Sequence, residues 1–425
     1  MSKRNRLSPE EKKLKKKAGG KKALKILAGV LIFIILFDVA SGFIGYLGMK
    51  SNIKKSKEFP EVGCSLKYEN VSDGVWNIYS DKDLKIVQLT DIHIGGGWVS
   101  TGKDMKALNA VAAMLNEEKP DFVIVTGDVA YPVPFQSGTL NNKHGAYEFA
   151  ELMETLGIYW TVGYGNHDTE AYSRFTREEI TDFYSSNYPH CLVQPGPEDV
   201  DGCGNQIFNI VNKDGIVTRM LFVLDSHSYI DGDFFGIKRA YDNIHENQVA
   251  WYKEAVLNAT KANAETLGVK DAETVASSLF FHIPLTEYDD AWKEYLANGR
   301  NDTENVTHIY GTTGENGNTI FCGINQDDLF ETVLELGSTD TIFCGHDHLN
   351  NFAINYKGIN LIYGYSIDYL AYIGISKVGT QRGCTVITYA DDGSIEWHPE
   401  SYYQDKYVSY YEKETVEMQD LDDHK

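Results

Sequence analysis

The body of this chain is short of positive charge. Eleven of its 39 Lys and Arg residues fall within residues 1–25, beside only Glu10 and Glu11, and the other 400 residues carry 28 basic against 59 acidic side chains. A body that acidic repels a nucleic-acid backbone, and no basic stretch laced with aromatics offers a groove for one. No nucleic-acid binding is expected. Cysteine pairs with zinc-finger spacing are also lacking. Of the six cysteines, Cys191 and Cys203 could close a short disulfide loop in an exported protein, whereas Cys344 and Cys384 sit in apolar stretches that suit buried thiols. Cys64 and Cys322 have no neighbour of their kind. Internal repeats are absent. Long apolar runs are absent too, with one exception.

That exception follows the Lys-rich head. Residues 26–37 carry no charge, Asp38 interrupts, and the apolar character resumes to Met49. The length suits a single transmembrane helix, and the basic flank predicts an N-terminus inside and the body outside the cell membrane. A cleaved secretory signal is the competing reading. The long basic head and the lack of a small-residue cleavage site disfavour it, and no cysteine follows the run to take a lipid. The expected division is a basic segment at 1–25, an anchor at 26–49, a linker and lead-in at 50–83, a main domain at 84–400 and an acidic, Tyr-rich tail at 401–425. With 42% apolar and 12% aromatic residues, the body has the composition of a globular fold with a large core.

From residue 85 the pattern alternates between short apolar runs and helical periodicity. Strands are predicted at 85–90, 121–126, 159–164, 219–224, 279–282, 341–344, 360–363 and 385–389, and helices at 103–118, 147–156, 246–260 and 329–336. Strand–helix–strand order with fully apolar strands predicts an α/β fold whose sheets are covered by helices. The stretches 184–206 and 298–325 are predicted as long loops, which inside a domain are usually functional rims or flexible insertions.

Five of the strands end in the same grammar, a polar turn rich in Asp, Asn and His. These are Asp91-Ile92-His93, Gly127-Asp128, Gly165-Asn166-His167-Asp168, His282 before Ile283-Pro284, and Gly345-His346-Asp347-His348. In open α/β sheets the ligand crevice lies at the carboxyl ends of the strands, so the five turns would converge. The converging set contains two carboxylates (Asp91, Asp128), an amide (Asn166) and four imidazoles (His93, His282, His346, His348). Mixed nitrogen and oxygen donors without thiolate suit Mn, Fe or Zn. Seven donors are too many for one tetrahedral ion and suit two adjacent ions, which acidify a bridging water to hydroxide and clamp the oxygens of a phosphoryl displacement.

In this order the motifs resemble the calcineurin-like metallophosphoesterases, over roughly residues 85–397. Within that family the chain looks closest to the purple-acid-phosphatase-like, Dcr2-type phosphatase branch. The stretch from Phe281 to Tyr288, Gly314-Glu315 and Arg382-Gly383 carry that narrower resemblance. The resemblance implies a four-layer α/β/β/α sandwich. It also implies one metal on Asp91, His93, Asp128 and His348, and a second on Asp128 as bridge, Asn166, His282 and His346. His167 would stabilise or protonate the leaving oxygen, with Asp168 orienting its ring. Gly127-Asp128-Val129-Ala130-Tyr131 fits the purple enzymes' tyrosine motif, but His93 stands where those enzymes have glycine, so Tyr131 is expected as a pocket wall. The implied activity is hydrolysis of a phosphomonoester by the bridging hydroxide. A phosphodiesterase or nucleotide pyrophosphatase on the same site, and a catalytically silent metal-stabilised binding protein, are the alternatives; the intact donor set argues against the last.

Other polar residues are expected to be ordinary. His144 is predicted on a surface loop and His227 at most on the rim. His190, His245, His308 and His398 have no partner motif. Arg382 is expected in a solvent-facing ion pair, and Tyr363, Tyr365, Tyr369 and Tyr372 in core packing.

Overall fold

A computed structural model describes residues 8–231, 233, 236–372, 375 and 381–414. The order of elements is α1 (Pro9–Ser56), β1 (Lys67–Ser72), β2 (Val75–Tyr79), β3 (Leu84–Leu89), α2 (Thr101–Glu118), β4 (Phe122–Thr126), α3 (Pro134–Ser137), α4 (Asn142–Leu156), β5 (Trp160–Gly163) and α5 (Arg177–Asn187). Then come β6 (Gln206–Val211), β7 (Val217–Val223), α6 (Glu246–Leu267), β8 (Ala276–Phe280), α7 (Thr286–Ala297), β9 (Val306–Tyr310), α8 (Leu329–Leu336) and β10 (Thr339–Cys344). The chain closes with β11 (Ala353–Tyr356), β12 (Ile359–Tyr363), β13 (Cys384–Tyr389), β14 (Ile395–Glu400) and α9 (Tyr403–Lys406).

Two sheets form, one in the order β14-β13-β3-β4-β5 and one in the order β1-β2-β6-β7-β8-β10-β12-β11-β9. β3, β4 and β5 run parallel, as do β7, β8, β10 and β12, so their carboxyl ends point the same way within each sheet. Strands such as Phe-Val-Ile-Val-Thr in β4 are buried throughout because both faces are covered. Three apolar cores stack in series. One lies between the smaller sheet and α2 and α4, with Leu108, Val111, Phe149 and Trp160. A second joins the two sheets through Ile86, Ile124, Leu221, Phe280 and Phe343. The third seats α6, α7 and α8 on the larger sheet through Tyr252, Trp292 and Phe330. The layering is α/β/β/α, a mixed α/β fold with two sheets.

Several expectations need correction. Residues 50–56, expected as a linker, continue α1, which packs on α4 and α2. Met49, Asn52, Ile53 and Ser56 are buried there, and Asn52 Nδ2 donates to Glu148 Oε2 at 2.9 Å. Among the described residues no helix is long and apolar enough to cross a membrane. The side chains of residues 34, 35 and 38 lie outside the description, and those of Ile26, Val30, Phe33, Phe37 and Phe43 are exposed along α1. Cys191 and Cys203 are not bonded; both are buried free thiols, and Cys203 Sγ sits 3.3 Å from Thr181 Oγ1. The expected loop at 184–206 begins inside α5, and that at 298–325 contains β9. The tail also packs: Tyr402, Tyr403 and Tyr407 are buried, and Asn109 of α2 donates to Tyr403 Oη and Ser409 Oγ. Residues 415–425 of the expected tail lie outside the described residues.

Candidate metal centre

The five polar turns meet in one place, and the backbone is bent to bring them there. Asp91, His93, Asp128 and His346 all adopt positive φ, at 49°, 54°, 55° and 77°. For residues with a Cβ this left-handed region costs roughly 1–2 kcal/mol each, and such strain collects at functional sites. Glycines make the approach close enough. A Cβ on Gly165 would overlap Asp128 Oδ1, and one on Gly127 (φ 88°) would lie 2.5 Å from His282 Nδ1.

Asp128 sits at the centre. Its Oδ1 accepts the His167 backbone N–H at 2.8 Å, and its Oδ2 lies 3.2 Å from both His93 Nε2 and His282 Nε2. Asp91, His93, Asp128 and His348 each offer a donor atom within 4.8 Å of the others, close enough to hold one ion. On the other side of Asp128, His282 Nε2 is 3.3 Å from His346 Nδ1, and His282 Nδ1 donates to the Thr126 carbonyl at 2.8 Å. Asn166 donates to Tyr229 Oη at 2.9 Å and so turns its own Oδ1 elsewhere.

Electrostatics follow from burial and crowding. For Asp128, burial works to raise the pKa, but His282, His167 and His93 override it and hold the carboxyl well below the usual range. Burial likewise works against charged His93 and His282, yet Asp368 and Asp128 for the first and Asp128 for the second raise both to about 9. His348 is pushed down to about 4 by burial and by His93, and His346 falls well below its ordinary value through burial and His282. Burial and the carboxylates thus favour the neutral form of His346 and His348 and the charged form of His93 and His282.

The residues fit metal ions on one specific observation. Asp91 Oδ1, Asn166 Oδ1 and His346 Nε2 are buried and have no hydrogen-bond partner. Leaving one such group unpaired costs about 1–3 kcal/mol, so three together call for a ligand.

His167 lies at the mouth, its ring 4.8 Å from that of Tyr131. Here the expected role of Asp168 is corrected. Both Asp168 oxygens are taken by backbone N–H groups of Asp128, Ala130 and Gly165 at 2.8–2.9 Å, so it clamps the turns together. The partner of His167 Nδ1 is Glu170 Oε1, at 2.6 Å. Tyr131 donates to Gln136 Oε1 at 2.8 Å, which makes it a wall residue. Asp368, with no motif around it, faces His93 Nδ1 at 3.7 Å and His348 Nδ1 at 3.9 Å while accepting three backbone N–H groups.

A cleft of about 600 Å³ opens over the centre, lined by Tyr131, His167, Glu170, Tyr229, Arg239, Tyr241, Glu315, Phe321 and Tyr372 among others. The loop at 298–325 supplies part of this rim. The segment 184–206 supplies none of it, and residues 229–241 do instead. A larger hollow of about 860 Å³ lies elsewhere, beside Asp201, His245 and Asp327. Near it His227, Asp242 and His245 come within ligand reach of one another. The two rings stack at 3.9 Å, however, which aims their nitrogens along parallel planes, and Gln248 and Asp201 already engage them. His144 bonds the Gly96 carbonyl, His190 pairs with Glu154, His308 stacks on Tyr295, and His398 pairs with Glu400. Arg382 is buried, paired with Glu414 and laid over Tyr369 at 3.8 Å. Tyr363 and Tyr365 are core residues, as expected, whereas Tyr372 lines the cleft.

Comparison with known proteins identifies the family. Over 329 residues the chain is 29% identical to a probable inactive purple acid phosphatase 14 of Arabidopsis thaliana, covering 72% of this chain and 75% of that one. It is 26% identical over 315 residues to the probable inactive purple acid phosphatase 28 of the same plant, covering 69% and 72%. It is 28% identical over 287 residues to the phosphatase DCR2 of Saccharomyces cerevisiae, covering 64% of this chain but only 45% of that protein. A dimetal phosphatase from Danio rerio is similar at a TM-score of 0.44 and 11% identity, over 75% of this chain and 99% of that one. The model of the calcineurin-like phosphoesterase family matches residues 84–350, from the strand before Asp91 to just past His348. The chain thus belongs to the calcineurin-like phosphoesterases, metal-dependent hydrolases of phosphate esters.

Proposed function

We propose that the protein is a phosphomonoesterase working with two metal ions. One would be held by Asp91, His93, Asp128 and His348, and the other by Asp128, Asn166, His282 and His346. The carrying observation is the convergence of these seven side chains with Asp91 Oδ1, Asn166 Oδ1 and His346 Nε2 buried and left unsatisfied. When bound, such a pair of ions acidifies a water and neutralises charge on the phosphoryl oxygens. The chain's own part is positional. Asp128 stands between the two donor groups, and its Oδ1 is fixed by the His167 N–H. Asp168 ties two turns into one unit through three backbone N–H groups. Glu170 holds His167 Nδ1, which leaves Nε2 as the ring edge that can give a proton to the leaving oxygen at the cleft mouth. The relatives named as probably inactive make turnover the point to test. Residues 50–425, stripped of metal and reloaded with Mn, Zn or Fe, should hydrolyse p-nitrophenyl phosphate faster than its bis ester, and Asp128→Asn should abolish it. Turnover without metal, or none with any metal, would contradict the proposal.

We further propose, from the apolar sequence run at 26–49 and not from the described part of α1, which falls short of a membrane span, that the N-terminal segment anchors the enzyme in a membrane, with the basic N-terminus inside and the domain outside. The exposed apolar side chains from Leu24 to Phe43 support this, since water disfavours such a band. Because α1 continues into the buried contacts at Met49–Ser56 side, the domain would sit close to the bilayer. Release of the full chain from membranes by salt alone would contradict the anchor.

A further inference from the structure

Three arginines of the domain are already neutralised: Arg177 pairs with Asp225, Arg219 with Asp340 and Arg382 with Glu414. Arg239 is different. Its side chain is exposed and lines the cleft, no carboxylate stands within ion-pair distance of it among the described residues, and its charge works against the burial that raises the Glu315 pKa. Its guanidinium lies over the face of Phe321, 5.2 Å from the ring centre. A ladder of rings connects it to the metal-bearing end: His346 meets Tyr241 edge-on at 4.3 Å, and Tyr241 meets Phe321 at 6.4 Å. The rings of Phe321 and Tyr241 thus lie in series between Arg239 and the His346 imidazole.

The segment that presents Arg239 is built. The buried carboxylate of Asp233 accepts the backbone N–H groups of Lys238 and Ala240 at 3.1–3.2 Å, and Ile230 N–H bonds the Ala240 carbonyl at 3.0 Å. Arg239 itself adopts φ 53°, a conformation that costs energy for a residue with a Cβ. The walls between it and the metal end are Tyr229, Tyr241, Phe321 and Tyr372, which suit a planar apolar group. Glu170 and Glu315 line the same cleft, so an anion entering beyond the metals meets one cation in an otherwise acidic surround.

We propose that Arg239 forms a second anion subsite, and that the preferred substrate is a phosphate ester whose planar leaving group carries its own negative charge. This rests on the phosphoesterase reading of the same cleft and adds the class of substrate to it. The probes are two phosphonates that cannot turn over, phenylphosphonate and 4-carboxyphenylphosphonate, titrated by calorimetry into the Mn-loaded protein. The carboxylate should improve binding about fivefold, the range of a partly exposed charge-assisted pair. In Arg239→Asn, where asparagine accepts the left-handed backbone without added strain, that advantage should vanish. In Arg239→Lys most of it should remain. Equal affinity for the two phosphonates in the native protein, or an advantage that survives in Arg239→Asn, would overturn the subsite. Hydrolysis of p-nitrophenyl phosphate without the carboxylate advantage would refute the subsite alone. The advantage without hydrolysis would refute the phosphoesterase reading alone. Failure of both phosphonates to bind would overturn both.

Discussion

Replacing Gly345 with alanine tests how tightly the strand ends are interlocked. Gly345 precedes His346, and an added Cβ would fall onto Thr90 Oγ1 and lie 2.9 Å from Asp91 Oδ2. That hydroxyl cannot step aside freely, because it donates to Asp91 Oδ2 at 2.9 Å and lies 3.0 Å from the Thr126 carbonyl. The methyl group must displace it, which adds roughly 1–3 kcal/mol of overpacking and about 1 kcal/mol for lost hydrogen bonding. Gly345→Ala should therefore destabilise the metal-free protein by about 2–4 kcal/mol, read as a shift in urea midpoint at unchanged slope. It should also weaken metal binding, since Asp91 loses a support. Thr90→Ala alone removes the hydroxyl and should cost about 1–2 kcal/mol. The double variant removes the clashing atom as well. Its cost should fall below the sum of the two single costs by at least about 1 kcal/mol, the sign of a shared contact. Strict additivity would refute the steric argument.

Three further outcomes follow. In the metal-free protein His93 and His282 hold protons up to about pH 9, above the ordinary histidine value, so their contribution to stability is complete below about pH 6.5 and is lost as pH rises through about 9. Thermal melts of the stripped protein should decline over that window, while metal binding should release protons and tighten over it; a stripped protein that gains stability from pH 6.5 to 9 would contradict the assignment. Glu170→Gln should lower kcat about tenfold or more through its hold on His167, with metal content unchanged by elemental analysis. Tyr131→Phe should leave metal content and colour unchanged, because the phenol is bonded to Gln136; loss of a visible absorption band would make Tyr131 an iron ligand.

The convergence of the candidate metal-site residues was legible in the sequence because each sits where an apolar strand run stops, and the strand ends within one sheet point one way. The parallel set β3-β4-β5 and its partner β8-β10 deliver Asp91, Asp128, Asn166, His282 and His346 in the order the motifs give. The partners of those residues were not legible. Nothing in the chain near Glu170 or Asp368 distinguishes them from solvent-facing acids, and which carboxylate meets which imidazole is set by how the turns pack. The misassigned role of Asp168 has the same origin: its place beside His167 in sequence suggested the ring, but the adjacent turns offered it three backbone N–H groups. The rim was half legible. Glycine- and asparagine-rich composition marked 298–325, whereas residues 229–241 carry no comparable signal and yet contribute three of the cleft's side chains, Tyr229, Arg239 and Tyr241. The tail looked featureless because its Tyr403 and Glu414 pair with Asn109 and Arg382, contacts distant in sequence.

The central claim is that seven side chains hold two metal ions around Asp128. It is tested most directly by counting ions bound per chain after reconstitution with Mn or Zn, in the native protein and in His282→Ala. The account predicts close to two ions in the native protein and close to one in the variant, whose remaining group of Asp91, His93, Asp128 and His348 stays intact. A single ion in the native protein, or two in His282→Ala with unchanged affinity, would contradict it.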